Sequence, residues 1–202
     1  MSEPVFRSAL AQATAIESSI TITAIDDRGM IDLRGDIGDR KFVVATKKVL
    51  GFDLPTNPRH STSKTKITAL WLSPDQWLIT CPRDQTAKIA DKLKTNLADL
   101  HSLALDVSDA RSIIRLEGEG ARVVLMKGAP VDLTLPEITD GFVRRIRFAE
   151  LAALVHVVSI KPELIDVYVF RSYAPYAWDW LCATSGEQSK LRVFCDQPVA
   201  VV

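Results

Sequence analysis

Polar and apolar residues alternate along SITITAI (19–25), the signature of a half-buried strand, and a turn at Asp26-Asp27-Arg28-Gly29 leads into a second strand, GMIDLRG (29–35). The period then lengthens. In DRKFVVATKKVL (39–50), Phe42, Val43, Ala45, Thr46, Val49 and Leu50 recur at helical spacing, with Gly51 where a C-terminal cap belongs. A proline-marked stretch and the polar STSKTK (61–66) read as a loop. KITALWLS (66–73) and QWLITC (76–81) are two strands turning on Pro74 and Asp75. Pro82 opens a helix with Ile89, Leu93 and Leu97 on one stripe, and SLALDVSD (102–109) closes the set as a strand.

That order, β-α-β-β-α-β, is the split arrangement of ferredoxin-like domains, and it recurs. RSIIRLEG (111–118) is a strand and EGARVVLMKG (119–128) a helix ended by Gly128. ALVHVVSI (153–160) and LIDVYVF (164–170) are strands joined around Pro162. YAPYAWDWLCATSG (173–186) is an aromatic-rich helix, and KLRVFC (190–195) a last strand. Residues 31–55, ending Asp-Leu-Pro, align with residues 113–136, ending Asp-Leu-Thr-Leu-Pro, with small gaps. The fold class expected is α+β: an arm over 1–20, a first half over 21–108 and a second over 109–202, packed as one body. The repeat assigns no role to EITDGFVRRIRFAELAA (137–153).

Composition narrows the function. With 47% hydrophobic and 25% charged residues the chain is globular, and 25 basic residues balance 25 acidic ones. A nucleic-acid partner is not expected, because counterion displacement needs a basic excess. No apolar run reaches the roughly 18–20 residues that span a bilayer, so no membrane partner is expected. The N-terminus lacks the basic start and apolar stretch of a secretory signal, which points to the cytoplasm. Cys81, Cys182 and Cys195 lack ligand spacing and read as core thiols.

Candidate chemistry is sparse. His60, His101 and His156 show no metal or catalytic spacing, and the glycines form no phosphate loop. Asp106, Ser108 and Arg111 within DVSDARS could form a carboxylate-and-arginine pocket, or a turn whose side chains bond their own backbone. Arg144, Arg145 and Arg147 lie on alternating faces of a strand, fit either for an acidic partner or for a charged edge. Trp71, Trp77, Tyr176, Trp178 and Trp180 are core or interface anchors; helical spacing puts Tyr173, Tyr176 and Trp180 on one stripe.

GMIDLRGD, ALWLSPDQWLIT, ALDVSDARSIIRLEGEGARVVLMKGAPVDL and DVYVFRSYAPYAWDWL, in that order over residues 29 to about 181, resemble the gamma subunits of heterotetrameric sarcosine oxidases. WLSPDQWL, DVSDAR and RSYAPYAWDWL are the specific parts. The resemblance implies a fold like that of the glycine cleavage T protein, the folate-binding aminomethyltransferase. It implies a non-catalytic subunit of a complex that demethylates sarcosine to glycine, passes the one-carbon unit to tetrahydrofolate and makes peroxide. Alpha, beta and delta subunits are the implied partners. FAD, FMN, NAD, tetrahydrofolate and zinc are implied on those chains, and no cofactor on this one. The alternative is a stand-alone folate-binding or aminomethyl-transferring protein, with a pocket built from Asp106, Ser108, Arg111, Arg171 and Tyr173.

Overall fold

The computed structural model describes residues 7–18 and 20–186, so the strand expected at 190–195, Cys195 and the start of the arm lie outside the described residues. Two antiparallel sheets stack face to face, each covered on its outer face by two helices. The five-stranded sheet has the order β4-β5-β6-β3-β7, built from β3 (Arg28–Arg34), β4 (Ser61–Lys64), β5 (Ile67–Ser73), β6 (Gln76–Pro82) and β7 (Leu103–Asp106). Its helices are α1 (Arg40–Leu50) and α2 (Thr86–Asn96). The six-stranded sheet has the order β1-β2-β8-β11-β10-β9. Its strands are β1 (Ile16–Glu17), β2 (Thr21–Ile25), β8 (Arg111–Glu117), β9 (Val143–Phe148), β10 (Leu151–Ile160) and β11 (Glu163–Phe170). Its helices are α3 (Ala121–Met126) and α4 (Ala174–Ser185).

Local chemistry sets the helix ends. Asp39 caps α1 by accepting from the Lys41 N–H, and Gly51, at φ 82°, closes it in the left-handed conformation that glycine adopts without strain. The core has three compartments. Ile31, Leu33, Phe42, Trp77, Ile79 and Leu93 fill the space under α1 and α2. Ile22, Ile114, Phe148, Val155, Val167 and Leu181 fill the space under α3 and α4. Between the sheets lies a thinner layer: Met30, Leu70, Leu72, Leu78, Ile113, Val143, Leu154 and Tyr168.

Within the first sheet, β3-α1-β5-β6-α2-β7 is the expected split unit. Two features of the sheets differ from the sequence reading. SITITAI does not join the first half. The chain turns at Asp26-Asp27, so that β2 pairs with β8 of the second sheet (Ile22 opposite Leu116) while β3 continues in the first. The reason is burial, since Ile22 goes under α3 and α4 with no exposure. β2 thereby holds, beside β8, the place that β7 holds beside β3.

The second difference concerns the stretches read as a polar loop and as unassigned. STSK is strand β4, paired with β5 around a turn at Thr65-Lys66, and FVRRIRF supplies β9, paired with β10. The two are equivalent edge strands of the two halves. Their starts meet: His60 bridges Phe142, the Ser61 N–H donates to Gly141 O (2.8 Å), and the Val143 N–H donates to Arg59 O (2.7 Å).

The Pro74-Asp75 hairpin forms as read, with Trp71 directly opposite Trp77. Trp77 has no exposed surface, packs on Phe42 with ring centroids 5.9 Å apart, and donates its indole N–H to Pro55 O at 2.9 Å. Trp71 is half-buried against the same core. Trp77→Ala is therefore expected to lower stability by about 3–5 kcal/mol in urea denaturation. Trp77→Phe keeps most of the packing but strands the Pro55 carbonyl, and is expected to cost about 1–3 kcal/mol.

Candidate functional site

The densest gathering of buried polar groups lies at one end of the layer between the sheets. Strand register explains it. His156, Asp166 and Arg115 are directly opposed across β10, β11 and β8, one row on the inner face of the six-stranded sheet. Thr80, Thr68 and Ser63 make the corresponding row across β6, β5 and β4. Arg28, Ser61, Lys66, Asp140 and Tyr168 complete a cleft of about 420 Å³. The other end of the same layer is apolar, because there the inward positions are Leu70, Leu78, Ile113 and Leu154.

Within this cleft Arg115 grips Asp166 with two hydrogen bonds, Nε to Oδ1 at 2.7 Å and Nη2 to Oδ2 at 2.9 Å. That carboxylate holds the Arg115 guanidinium above its ordinary pKa, against the opposing effect of burial. His156 Nε2 shares a hydrogen bond with the Ser61 hydroxyl (3.1 Å). Its Nδ1 is buried without a hydrogen-bond partner. Burial pulls the imidazole pKa from 6.5 down to about 4; Asp166 opposes this and Arg115 adds to it. The ring is therefore neutral at pH 7. Burial likewise raises the Tyr168 phenol.

DVSDARS forms a turn. Asp106 Oδ1 accepts from both the Ser108 N–H (2.9 Å) and the Ser108 hydroxyl (2.6 Å), while Ser108 Oγ in turn accepts the Met30 N–H at 3.0 Å. This corner is tight: a Cβ on Gly29 would lie 1.7 Å from Thr86 Oγ1. Ser108, Arg111 and Arg171 do come together with Arg28 and Arg83, but around a crevice of about 10 Å³, room for a single water. Arg111 stacks on Phe170, 4.4 Å from the ring centre, and Arg171 donates to the Arg7 carbonyl. Asp106 and Tyr173 do not line that crevice.

The partner-contact candidates divide by burial. Trp77 and Trp178 are core residues, and Trp180 stands edge-on to Phe148 with centroids 4.7 Å apart. Arg145 donates to Leu72 O (3.0 Å) and so ties the two sheets, and Arg147 pairs with Glu150 at 2.7 Å. Arg144 is half-buried on β9. Tyr173 and Tyr176 remain exposed at 52% and 46%, beside exposed Phe170. Sequence reading passed over Arg115, Asp166 and the cleft role of His156. The available signal was polar residues at inward positions of strands whose other positions are all apolar, as in LIDVYVF.

Comparison with known proteins is consistent along the chain. The family model described as "Sarcosine oxidase, gamma subunit family" matches residues 34–187. Sarcosine oxidase subunit gamma of Corynebacterium sp. (strain U-96) is 31% identical over 127 residues, 61% of this chain and 59% of that one. The same subunit of Corynebacterium sp. (strain P-1) is 36% identical over 90 residues, 44% and 43% of the two chains. The matched part thus spans about half the length of these curated relatives. Among solved structures, a chain of heterotetrameric sarcosine oxidase from Corynebacterium sp. U-96, in complex with pyrrole 2-carboxylate, superposes with a TM-score of 0.82 at 23% identity, covering 93% of this chain and 98% of that one. Aminomethyltransferase T of the glycine cleavage system from Bartonella henselae gives 0.62 at 13% identity, covering 83% and 46%. Both establish the fold, which is the one expected from the repeat.

Two outcomes test the cleft. Between pH 6.5 and 4 the unfolded chain takes a proton on histidine that native His156 refuses. Its stabilising contribution is complete above pH 6.5 and is lost as pH falls toward 4, about 3 kcal/mol in total. His156→Gln is expected to flatten that part of the stability profile in denaturation measured across pH. Asp166→Asn, which leaves Arg115 unpaired, is expected to cost about 3 kcal/mol at pH 7; the double change Arg115→Met with Asp166→Leu should cost less, measured the same way.

Proposed function

The chain belongs to the sarcosine oxidase gamma subunit family, and from that premise we propose that it is a non-catalytic subunit of a heterotetrameric complex that oxidatively demethylates sarcosine. The observation that carries this is the family match over residues 34–187, which takes in most of the described residues. Sarcosine goes to glycine, the one-carbon unit to tetrahydrofolate and the electrons to oxygen, all on the alpha, beta and delta chains. Those chains hold the FAD, FMN, NAD, tetrahydrofolate and zinc. This chain supports assembly and works in the cytoplasm; no helix among the described residues is long and apolar enough to cross a membrane.

Burial revises which residues serve the contacts. Phe170, Tyr173 and Tyr176 are exposed aromatics at the end of β11 and the start of α4, and aromatic anchors of this kind lead at interfaces. Leu103 and Leu105 lie exposed on edge strand β7, which offers further apolar contact area. Stand-alone aminomethyl transfer is the weaker reading, since the likeness to aminomethyltransferase T covers less than half of that enzyme.

A tagged chain co-expressed with the other subunits is expected to pull down all three in equal amounts. Expressed alone, it should be colourless and without sarcosine oxidase activity. Tyr176→Asp, which adds a charge at an exposed position, is expected to reduce recovery of the partners about tenfold while leaving the melting temperature of the isolated chain unchanged. Purification of the lone chain with bound flavin, or of an intact active complex lacking it, would overturn the proposal.

A further inference from the structure

We propose that the cleft between the two sheets is a binding site for a small hydroxylated monocarboxylate, its hydroxyls meeting the Thr80–Thr68–Ser63 row and its carboxylate meeting Arg28 and Lys66. The cleft belongs to this chain alone, so the inference does not rest on assembly.

Size comes first. About 420 Å³ is within the range of small-molecule pockets and far above the room a bound water needs. The walls are graded: Thr80, His156, Asp166 and Tyr168 are buried at the inner end, while Ser63, Thr65 and Lys66 are exposed at the mouth. Apart from Tyr168, Val158 and Gly141, every lining residue has a polar or charged side chain, which favours a polar occupant.

Charge then selects the class. Among the lining residues Arg28, Lys66 and Arg115 outnumber Asp140 and Asp166 by one positive charge, and the carboxylate nearest to Arg28 is the exposed Asp27 outside the cleft, 3.7 Å from Nε. The carboxylates are already engaged. Arg115 holds both oxygens of Asp166, and Asp140 Oδ1 accepts the Ile160 N–H at 2.7 Å. That disfavours a cation. Arg28 gives a hydrogen bond from Nη1 to Lys66 O (3.2 Å) and holds Nε 3.7 Å from Asp27 Oδ1, and a guanidinium carries five donors in all. A carboxylate matches its fork.

Hydrogen-bonding capacity argues for hydroxyls on the occupant. The Ser63 hydroxyl donates to Thr68 Oγ1 (2.9 Å), and Ser61 shares a bond with His156. A hydroxyl group offers one donor and two acceptor positions, so each retains capacity after these contacts. A row of such groups on one sheet face suits a polyol chain lying across the strands. The partnerless Nδ1 of His156 beside this row is a buried polar atom of the kind that a bound molecule or its waters would satisfy.

The test is a nuclear magnetic resonance titration of the full chain, with histidine and threonine labelled, using gluconate, sorbitol, acetate and inorganic phosphate as probes. Gluconate is expected to move the His156 and Thr80 signals saturably. Sorbitol, which has the hydroxyls without the charge, and acetate, which has the charge without the hydroxyls, should each bind at least about tenfold more weakly. Arg28→Gln should weaken gluconate by about tenfold; Lys66→Gln, on the exposed hairpin where folding is not at risk, should weaken it to a smaller extent. Arg147→Gln, outside the cleft, should change nothing. The proposal is overturned if no probe gives a saturable shift, which would make the cleft a water-filled seam. Sorbitol matching gluconate, phosphate binding more tightly than gluconate, or both cleft substitutions leaving gluconate binding intact would overturn it as well.

Discussion

The structure depends on two sheets being held face to face by a layer thinner than the cores on either side of it. Under the helices, each sheet buries Leu, Ile, Val and large aromatic side chains in a conventional compartment. Between the sheets, among the described residues, buried Met30, Leu70, Leu72, Leu78, Ile113, Val143, Leu154 and Tyr168 form the apolar contact, with Ile25 and Val107 packed against them. Hydrophobic burial is not the sole restraint there. Backbone hydrogen bonds join 59–61 to 141–143 at one edge, Arg145 reaches across to Leu72 O, and the chain itself passes from sheet to sheet at Asp26-Asp27 and after Asp106. These directional bonds set the spacing of the sheets, and the spacing leaves room for the polar cleft.

The duplicated plan explains where those restraints come from. Each half adds an edge strand, β4 or β9, beside the second strand of its split unit, and the starts of these equivalent strands pair with one another. Repetition thus produces its own seam. The halves differ where β2, an N-terminal strand, takes the place in the second sheet that β7 takes in the first. The tryptophans of the central hairpin belong to the first half alone. Trp77 fills its core and bonds Pro55 O, while the corresponding turn of the second half closes without them.

Charged groups in the inner layer are costly by the same physics that stabilises its apolar end. A buried Arg–carboxylate pair recovers its desolvation cost only with good geometry, and Arg115 with Asp166 has the two-bond geometry required. Packed apolar residues in the row of His156, Asp166 and Arg115 would hold the sheets at least as well. Stability is therefore a weak account of that row.

Much of the architecture was legible in the residues. Period two against period 3.6 located the helices and most strands; Gly51, Pro74-Asp75 and Pro82 marked turns and helix ends; the alignment of 31–55 with 113–136 revealed the duplicated αβ plan. WLSPDQWL, DVSDAR and RSYAPYAWDWL pointed to the family. These are local or repeated signals, and short-range geometry fixes them whatever the rest of the chain does. Three things needed the tertiary structure. The partner of β2 is chosen by which core accepts Ile22, and alternation says only that one face is buried. STSK is a strand because β5 offers it an edge; its own composition is that of a loop. The cleft is assembled from residues as distant as Ser61 and His156, brought opposite one another by strand register and by the pairing of two sheets, and no spacing along the chain encodes that encounter.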